Sequence, residues 1–326
     1  MKIAILGTGQ VARASYLPFL SRQDDVELIY FSRTREKAAS CAADFGGIVA
    51  DSLEQLLADD PDAVLVLTHE TQRYEATQAL LAGKPRRLFF EKPLVAAAGQ
   101  ANVSEDDFLQ ARNLLQQAKD AGAESAMVFN YRFFEQTIRA QELIAERDFG
   151  KLIQASLFVN YACWSHCIDL LHLFGGRAAR ITALAGDIPY KDAVDVAAAF
   201  QLENGATGTI TGTSGSDFST PLYDVLLNFE RGSVRFRDLD GPLEVHGPGQ
   251  RYAETHALIG NHSRWDQYQA SFEKSLAAYL DSIRSNEPPP VPGMAGLEEL
   301  QFEAALRRSI REQRPVDLAR EFSLDP

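Results

Sequence analysis

A short apolar strand that breaks directly into closely spaced glycines leaves few folds open to a chain. Lys2–Leu6 runs into Gly7-Thr8-Gly9-Gln10-Val11-Ala12, and a helix carrying Leu17 and Leu20 is expected to follow. Strand, G-x-G-x-x-A and helix in that order form a dinucleotide fingerprint. Gly7 allows the tight turn, Gly9 lets the main chain approach a pyrophosphate, and Ala12 permits close helix–strand packing. The anion would rest on the helix N-terminus, where free N–H groups and the helix dipole favour negative charge.

The pattern then repeats as strand and helix by turns. Val26–Phe31, Ile48–Ala50, Ala63–Thr68 and Arg87–Phe90 read as strands. Glu36–Phe45, the stretch near Leu53–Ala58, and Tyr74–Ala82 read as helices, with Gly46-Gly47 and Gly83 as stops. Ser104-Glu105-Asp106-Asp107 resembles a capping box opening a long helix to about Ala121. Met127–Tyr131 is expected to close the series as a strand. Such alternation implies right-handed crossovers and a doubly wound parallel sheet.

From about Phe133 the pattern changes. Glu135–Glu146 and Cys163–Phe174 are helical. Ile153–Val159, Ala178–Leu184, Val196–Leu202, Thr207–Thr213, Leu222–Phe229 and Ser233–Phe236 are strand-like, with turns at Asn204-Gly205 and Arg231-Gly232. That is an α+β domain on an open, mostly antiparallel sheet. Trp265–Ser285 and Leu297–Gln313 return to helix, joined by the proline-rich run at 288–292. The expected division is residues 1–126 for the dinucleotide domain and 127–326 for the second. The tail helices are expected to pack back on the first. A length of 326 residues suits about two domains.

Charge excludes some partners. Lys plus Arg is 32 and Asp plus Glu is 45, a net charge of −13. A nucleic-acid partner wants a basic footprint, and an anionic membrane repels an acidic chain. No apolar run reaches the roughly 20 residues of a membrane span, and the N-terminal apolar run is too short for a signal peptide. Three cysteines do not make a disulfide framework, so a cytoplasmic location is expected.

The end of the second strand speaks to cofactor choice. An NAD site usually places Asp or Glu there, on the ribose 2′-hydroxyl. This chain has Phe31-Ser32-Arg33-Thr34-Arg35, while Asp24 and Asp25 precede the strand. A hydroxyl and one or two guanidiniums suit a 2′-phosphate, since Arg offers a rigid fork to phosphate oxygens. NADP(H) is therefore expected over NAD(H), with Ser32, Arg33 and Thr34 as contacts and Lys37 as a further candidate. The plainer alternative is that Arg33 and Arg35 are solvated loop charges.

Glu91-Lys92-Pro93 stands at another strand end, where ligands of open α/β sheets lie. A lysine there can hold a carbonyl or alcohol oxygen and stabilise the alkoxide of hydride transfer. Partial burial would let it share the proton. Pro93 would fix the backbone, through a cis bond in one reading.

These pieces together resemble the Gfo/Idh/MocA family, the glucose-fructose oxidoreductase and inositol dehydrogenase type. The matching stretches are AILGTGQVA, ALLAGKP ahead of FFEKPL, VFNYRF followed by FGKLI, and SHCIDLLHLFGG. The resemblance implies a Rossmann domain plus an α/β domain whose open sheet often makes the oligomer interface, here a homodimer or homotetramer. It implies Lys92 as the catalytic lysine, His166 as the histidine of an H-x-x-D segment and Asp169 as its acidic partner. Thr68 matches a strand-end threonine that contacts the cofactor. Asn130, Tyr131 and Arg132 match a strand bordering nicotinamide and substrate. Gly7, Thr8, Gly9, Gln10, Val11, Ala12, His69, Glu91, Lys92 and Asn130 complete the expected cofactor set.

Two departures stand out. Many members carry Asp four residues before the histidine, where this chain has Ala162. Many follow the threonine with Pro-Asn, where this chain has His69-Glu70. The missing Asp leaves Lys92 and His166 to suffice, or Tyr161 or Ser165 to help. His166 and Asp169 are i and i+3 and share a helix face. His172, six residues on, faces elsewhere. Cys163, His166 and Cys167 have zinc-ligand types, but come from barely one turn of one helix, so no metal is expected. His246, His256 and His262 sit in loop-like surroundings.

The expected function is an NADP(H)-dependent oxidoreductase acting on a CH–OH group. It would move a hydride between nicotinamide and a secondary alcohol or ketone of a sugar-like or polyol-like molecule in the interdomain cleft. Lys92 would polarise the oxygen, His166 relay the proton and Asp169 orient it. The alternatives are an imine or ketone reductase of a biosynthetic pathway, and a non-catalytic dinucleotide-binding regulator.

Overall fold

A computed structural model describes residues 1–190, 193–213, 221–260 and 263–325, with main chain alone at 188–190 and 193. His262 lies outside the described residues. The chain divides into two compact units. One holds Met1–Phe129, Phe272–Leu300 and Asp325; the other holds Asn130–Ser271 and Gln301–Leu324.

The first unit is a parallel sheet with helices. Its elements are β1 (Lys2–Leu6), α1 (Leu17–Leu20), β2 (Glu27–Phe31), α2 (Arg35–Phe45), β3 (Ile48–Val49) and α3 (Leu53–Ala58). Then come β4 (Ala63–Val66), α4 (Glu70–Leu81), β5 (Arg87–Phe90), α5 (Glu105–Asp120) and β6 (Glu124–Met127). The strand order is β3-β2-β1-β4-β5-β6, the doubly wound Rossmann order with its switch point between β1 and β4. Ile3, Ala4, Ile5, Val64, Leu65 and Val66 are wholly buried, as expected where both faces of a parallel sheet are covered. Ser104 and Asp107 form the capping box of α5. From the tail, Tyr279 packs on Phe89 with ring centroids 4.7 Å apart, and Phe272 meets Tyr16 at 5.5 Å.

Two details of this unit differ from the sequence reading. The segment after the glycine loop is not α-helical throughout. Ala12–Tyr16 is a π-helical turn, and α1 is the short piece beyond it; such wide turns often occur at functional sites. The last strand is Glu124–Met127, not Met127–Tyr131. The Val128 amide makes a last bond to the Phe90 carbonyl at 2.9 Å. Asn130–Phe133 then turns as a 3-10 helix, so Asn130, Tyr131 and Arg132 sit on a turn rather than a strand.

The second unit begins with α6 (Glu135–Glu146), β7 (Leu152–Asn160) and α7 (Trp164–Gly175). It continues with β8 (Ala178–Tyr190), β9 (Ala193–Leu202), β10 (Thr207–Thr213), β11 (Tyr223–Phe229), β12 (Gly232–Arg237), β13 (Leu243–His246) and β14 (Glu254–His256). The tail supplies α8 (Arg264–Ser285), α9 (Gly293–Glu312), β15 (Val316–Asp317) and α10 (Leu318–Glu321), with α8 and α9 shared between the units. The order is β14-β13-β12-β11-β7-β10-β9-β8-β15. Within this sheet only β7 and β10 pair in parallel among the described strands. The strands β13, β14 and β15 were not expected, because two to four residues carry too little alternation to register. His246 and His256 therefore end strands instead of lying in loops.

One face of this sheet is apolar and covered: Ala155, Leu157, Val159, Ile210, Val225 and Leu227 are buried. The other face carries Phe158 and Leu184, the latter 72% exposed. No described helix is long and apolar enough to cross a membrane.

Candidate active site

In the first unit the carboxyl ends of β1, β2 and β4 converge on a cavity of about 430 Å³. Leu6, Gly7, Thr8 and Gly9 line it from β1, Phe31 to Thr34 from β2, and Leu67, Thr68 and His69 from β4. Lys37, Leu53, Gln72, Glu75 and Ala76 complete the wall. A second cavity of about 430 Å³ continues past Thr8, Gly9 and Lys37 to Gln10, Arg13, Ala14 and Ser40.

Gly7 has φ +100°, and a Cβ there would stand 2.8 Å from the Thr68 amide nitrogen. No L-residue fits that turn without moving β4. A Cβ at Gly9 would meet nothing within 4 Å, so the main chain is open where a pyrophosphate would approach. Ala12 is fully buried against the sheet, whereas Val11 is half exposed. The Thr8 and Thr68 hydroxyls are buried without hydrogen-bond partners among the described residues. Buried hydroxyls normally find partners, and two orphans flanking an open glycine loop suit a polar ligand. The residues present fit a dinucleotide.

Arg33 and Arg35 part ways. Arg33 lines the cavity, and its Nη2 donates to Gln72 Oε1 at 2.5 Å. Arg35 turns outward and pairs with Asp51; it is not among the lining residues. Of the one or two guanidiniums expected, one is in place, and Lys37 adds a second cation through both cavities. Glu75, from α4, is the acidic residue in the lining. His69 caps α4, with its ring nitrogen 3.0 Å from Thr71 Oγ1.

The Glu91-Lys92-Pro93 segment follows β5, and its Lys92–Pro93 bond is cis. Glu91 is buried, and its carboxylate accepts from Tyr16 Oη at 2.6 Å and from the Lys92 amide at 3.0 Å. Lys92 Nζ donates to Gln100 Oε1 at 3.1 Å. The guanidinium of Arg73, 2% exposed, donates to the carbonyls of Thr68 at 2.8 Å, of Glu91 at 2.6 Å and of Pro93. Sequence reasoning missed Arg73, because ETQRYEATQALL reads it as one more polar position of a helix. Nothing local announces that this arginine points inward. Tyr16 was missed for the same reason.

In the second unit, His166 is 2% exposed and stacks on Tyr131, with ring centroids 4.0 Å apart and planes within 6°. The Tyr131 hydroxyl and Cys163 Sγ are 3.0 Å apart, and burial pushes that phenol well above its usual range. Asp169 is buried and gives both oxygens to Arg132, from Nε at 2.8 Å and Nη2 at 2.5 Å. Burial pushes the Asp169 carboxyl up, and Arg132 opposes the shift. Asn130 is wholly buried and donates to Ser271 Oγ at 2.7 Å, while its Oδ1 has no partner among the described residues. His172 has a buried Nε2 without a partner among the described residues, and burial drives its pKa down to about 3.

The neighbourhood of Ala162 is also charged. Tyr161 stacks on Trp164, and its hydroxyl accepts from Arg307 Nη2 at 3.0 Å. Ser165 is half-buried on the first turn of α7. Glu303 is buried, which raises its carboxyl, with Arg307 opposing. Among the described residues, no three His, Cys, Asp or Glu side chains are grouped to hold a metal ion.

Comparison with known proteins agrees with this geometry. Residues 1–124 match the model of the Gfo/Idh/MocA family, described as an oxidoreductase family with an NAD-binding Rossmann fold. The chain is 24% identical over 322 residues to D-xylose 1-dehydrogenase (NADP(+)) 2 of Haloferax volcanii, covering 89% of this chain and 91% of that one. Among solved structures, an oxidoreductase from Agrobacterium radiobacter in complex with NAD+, L-tartaric acid and magnesium superposes with a TM-score of 0.81. It is 16% identical, with 98% of this chain and 99% of that chain covered. The WlbA dehydrogenase of Bordetella pertussis, in complex with NADH and UDP-GlcNAcA, gives 0.75 at 17% identity, with 97% of each chain covered. At those identities the two structures speak for the fold alone.

Proposed function

We propose that the chain is an NAD(P)-dependent oxidoreductase of the Gfo/Idh/MocA type, that it prefers NADP(H), and that it acts on a secondary alcohol or ketone of a sugar-like or polyol-like molecule. The observation that carries the preference is the wall at the end of β2. Ser32, Arg33, Thr34 and Lys37 line the cavity there, where an NAD site would place a carboxylate. The similar xylose dehydrogenase is named for NADP(+), which supports the same reading.

The dinucleotide supplies or accepts the hydride at its nicotinamide. This chain's residues handle the proton and the charge. Lys92 holds the substrate oxygen and neutralises the alkoxide as it forms, which is worth most in a site that excludes water. It gives up or takes the proton as general acid or base. His166, held flat against Tyr131, relays that proton. Asp169 acts as a positioning residue through Arg132, fixing the α7 face from which His166 works. Ala162 stands where many members carry an Asp that assists proton transfer, so Lys92 and His166 are left to carry the proton, and a supply of NADPH would favour carbonyl reduction.

Fluorescence titration tests the cofactor claim. NADPH should bind at least tenfold tighter than NADH, and Arg33→Ala should erase most of that difference. Equal affinities in the wild type overturn it. A panel of sugars, inositols and keto compounds, followed at the NADPH absorbance, tests the chemistry: Lys92→Ala should lower turnover on the order of a thousandfold. Turnover that survives Lys92→Ala refutes the role of Lys92. An inert panel, with NADPH altering the binding of another macromolecule, replaces the enzyme by a regulator.

The exposed face with Phe158 and Leu184 fits a second copy of the chain, giving a homodimer or homotetramer through this sheet. Light scattering should find the oligomer, and Leu184→Glu should shift it towards monomer. Cys41, Cys163 and Cys167 are buried and not joined in disulfides, which fits a reducing cytoplasm.

A further inference from the structure

Three chain segments of the first unit meet in one buried polar network. Tyr16 comes from the π-turn that leaves the glycine loop. Thr68 lies two residues past β4, and its amide nitrogen is the atom that a Cβ at Gly7 would strike. Glu91, Lys92 and Pro93 follow β5. Arg73 reaches the carbonyl of Thr68 on one side and those of Glu91 and Pro93 on the other. The main chain on both sides of Lys92 is therefore held by one guanidinium, and the same guanidinium holds the strand end that walls the glycine loop. The Glu91 carboxylate closes the circuit, since Tyr16 Oη and the Lys92 amide both donate to it.

A buried cation is an expensive way to hold three carbonyls. Desolvation penalises the charged form, and burial pulls the Arg73 pKa down, with the negative charges of Glu91 and Glu70 opposing. Arg73 Nε has no partner among the described residues, so not even all its donors are used. What the guanidinium provides, and an apolar group cannot, is a fixed register between the end of β4 and the segment carrying Lys92.

We propose that Arg73, with the Tyr16–Glu91 pair, is a positioning device that sets Lys92 relative to the glycine loop. This rests on the reading of Lys92 as the group that holds the substrate oxygen. Arg73 and Tyr16 line neither of the two cavities at the glycine loop. Its effect runs through the placement of Lys92, where a displacement of about 1 Å can cost on the order of a hundredfold in rate.

The test uses the whole chain and has a readout independent of turnover. Trace acetylation with acetic anhydride, quantified by mass spectrometry, reports the local environment of each lysine, with Lys37 and Lys84 as internal references. In Tyr16→Phe and Arg73→Met, the acetylation rate of Lys92 relative to those references should change at least threefold. Arg73→Lys, which keeps a cation, should recover part of the change. In the same variants kcat should fall on the order of 10- to 100-fold with KM little altered, and Tyr16→Phe should keep its NADPH affinity. Should Arg73→Met fail to fold, Tyr16→Phe, which removes one hydroxyl, carries the test. An unchanged Lys92 labelling ratio in Tyr16→Phe overturns the proposal, even where melting temperature falls. If Lys92→Ala retains turnover, the role of Lys92 is wrong, and the labelling ratios still decide whether the network positions it.

Discussion

The glycine-loop cavity and the surroundings of His166 both present polar groups, but they are built from opposite materials. The cavity is largely main chain. Gly7 makes the tight turn, Gly9 leaves the backbone open, the Thr8 and Thr68 hydroxyls lack partners among the described residues, and Arg33 stands in the wall. Around His166 side chains have already found one another. Asp169 is doubly bound by Arg132, Tyr131 lies flat on the imidazole, and its hydroxyl meets Cys163. The first arrangement is an open cavity, while the second is a packed core that contains polar groups. A site of the first kind depends on the shape of the backbone, and one of the second kind on the presence of each partner.

The largest expected break falls on the second kind. Arg132→Met removes the guanidinium from a carboxylate that is 1% exposed. An uncompensated buried charge costs about 3–5 kcal/mol, and urea unfolding at pH 7 should find a loss in that range. The sign of the pH dependence follows from Asp169, whose native pKa is raised from 3.8. Stability held by such a group is present in acid and lost as pH rises through the native pKa. Without Arg132 that pKa climbs further, so the deficit should shrink as the pH falls towards 4. A loss below about 1 kcal/mol, or one independent of pH, would mean the pair is not the anchor of this cluster.

Gly7→Ala probes the backbone-built site. A φ of +100° and a Cβ 2.8 Å from the Thr68 nitrogen impose strain of about 1–3 kcal/mol, relieved only by moving β4 away from β1. NADPH affinity should fall on the order of a hundredfold, an equivalent of about 2.7 kcal/mol. Titration alongside thermal melts separates the two losses. Wild-type affinity in this variant would show that the turn has another conformation available.

The same contrast explains what could be read before the fold was known. The strand order and the glycine loop were legible because each signal is local: a buried apolar run, a turn residue, a cap three positions from Asp107. Arg33 was legible because its distance from the glycines is set by one crossover. Arg73 and the Arg132–Asp169 pair were not. Each joins residues whose proximity only the fold creates, and a buried arginine and a solvated one look alike in sequence. The strand expected at Met127–Tyr131 failed for a related reason. Its apolar content is real, but Val128 makes the last bond to β5 and the chain must turn to enter α6. Where the expected readings stop, side-chain pairing across long separations begins.

A smaller effect tests whether the polar core of the second unit is tuned or merely tolerated. Burial takes the His172 pKa from 6.5 down to about 3, so the unfolded chain binds a proton that the native chain refuses. The stability linked to this histidine is complete above pH 6.5 and is lost as the pH falls through about 3. The slope is at most about 1.4 kcal/mol per pH unit. His172→Phe, which keeps an aromatic ring against Phe302, should flatten the acid limb of a urea-unfolding series between pH 6.5 and 4. An unchanged slope would assign the acid sensitivity to other groups.

The smallest effect is predicted two residues from one of the important ones. Arg33 and Arg35 leave the same strand end, but Arg35 is largely exposed and pairs with the exposed Asp51, outside both cavity walls. Surface pairs of this kind contribute little and are screened by salt. Arg35→Ala should therefore change NADPH affinity by less than about threefold, against the much larger loss expected for Arg33→Ala. The contrast is sharper than either measurement alone, because both variants remove the same charge from the same region. If Arg35→Ala matched Arg33→Ala, net charge near the cavity would be deciding the preference, and the position of the Arg33 fork on Gln72 would not matter.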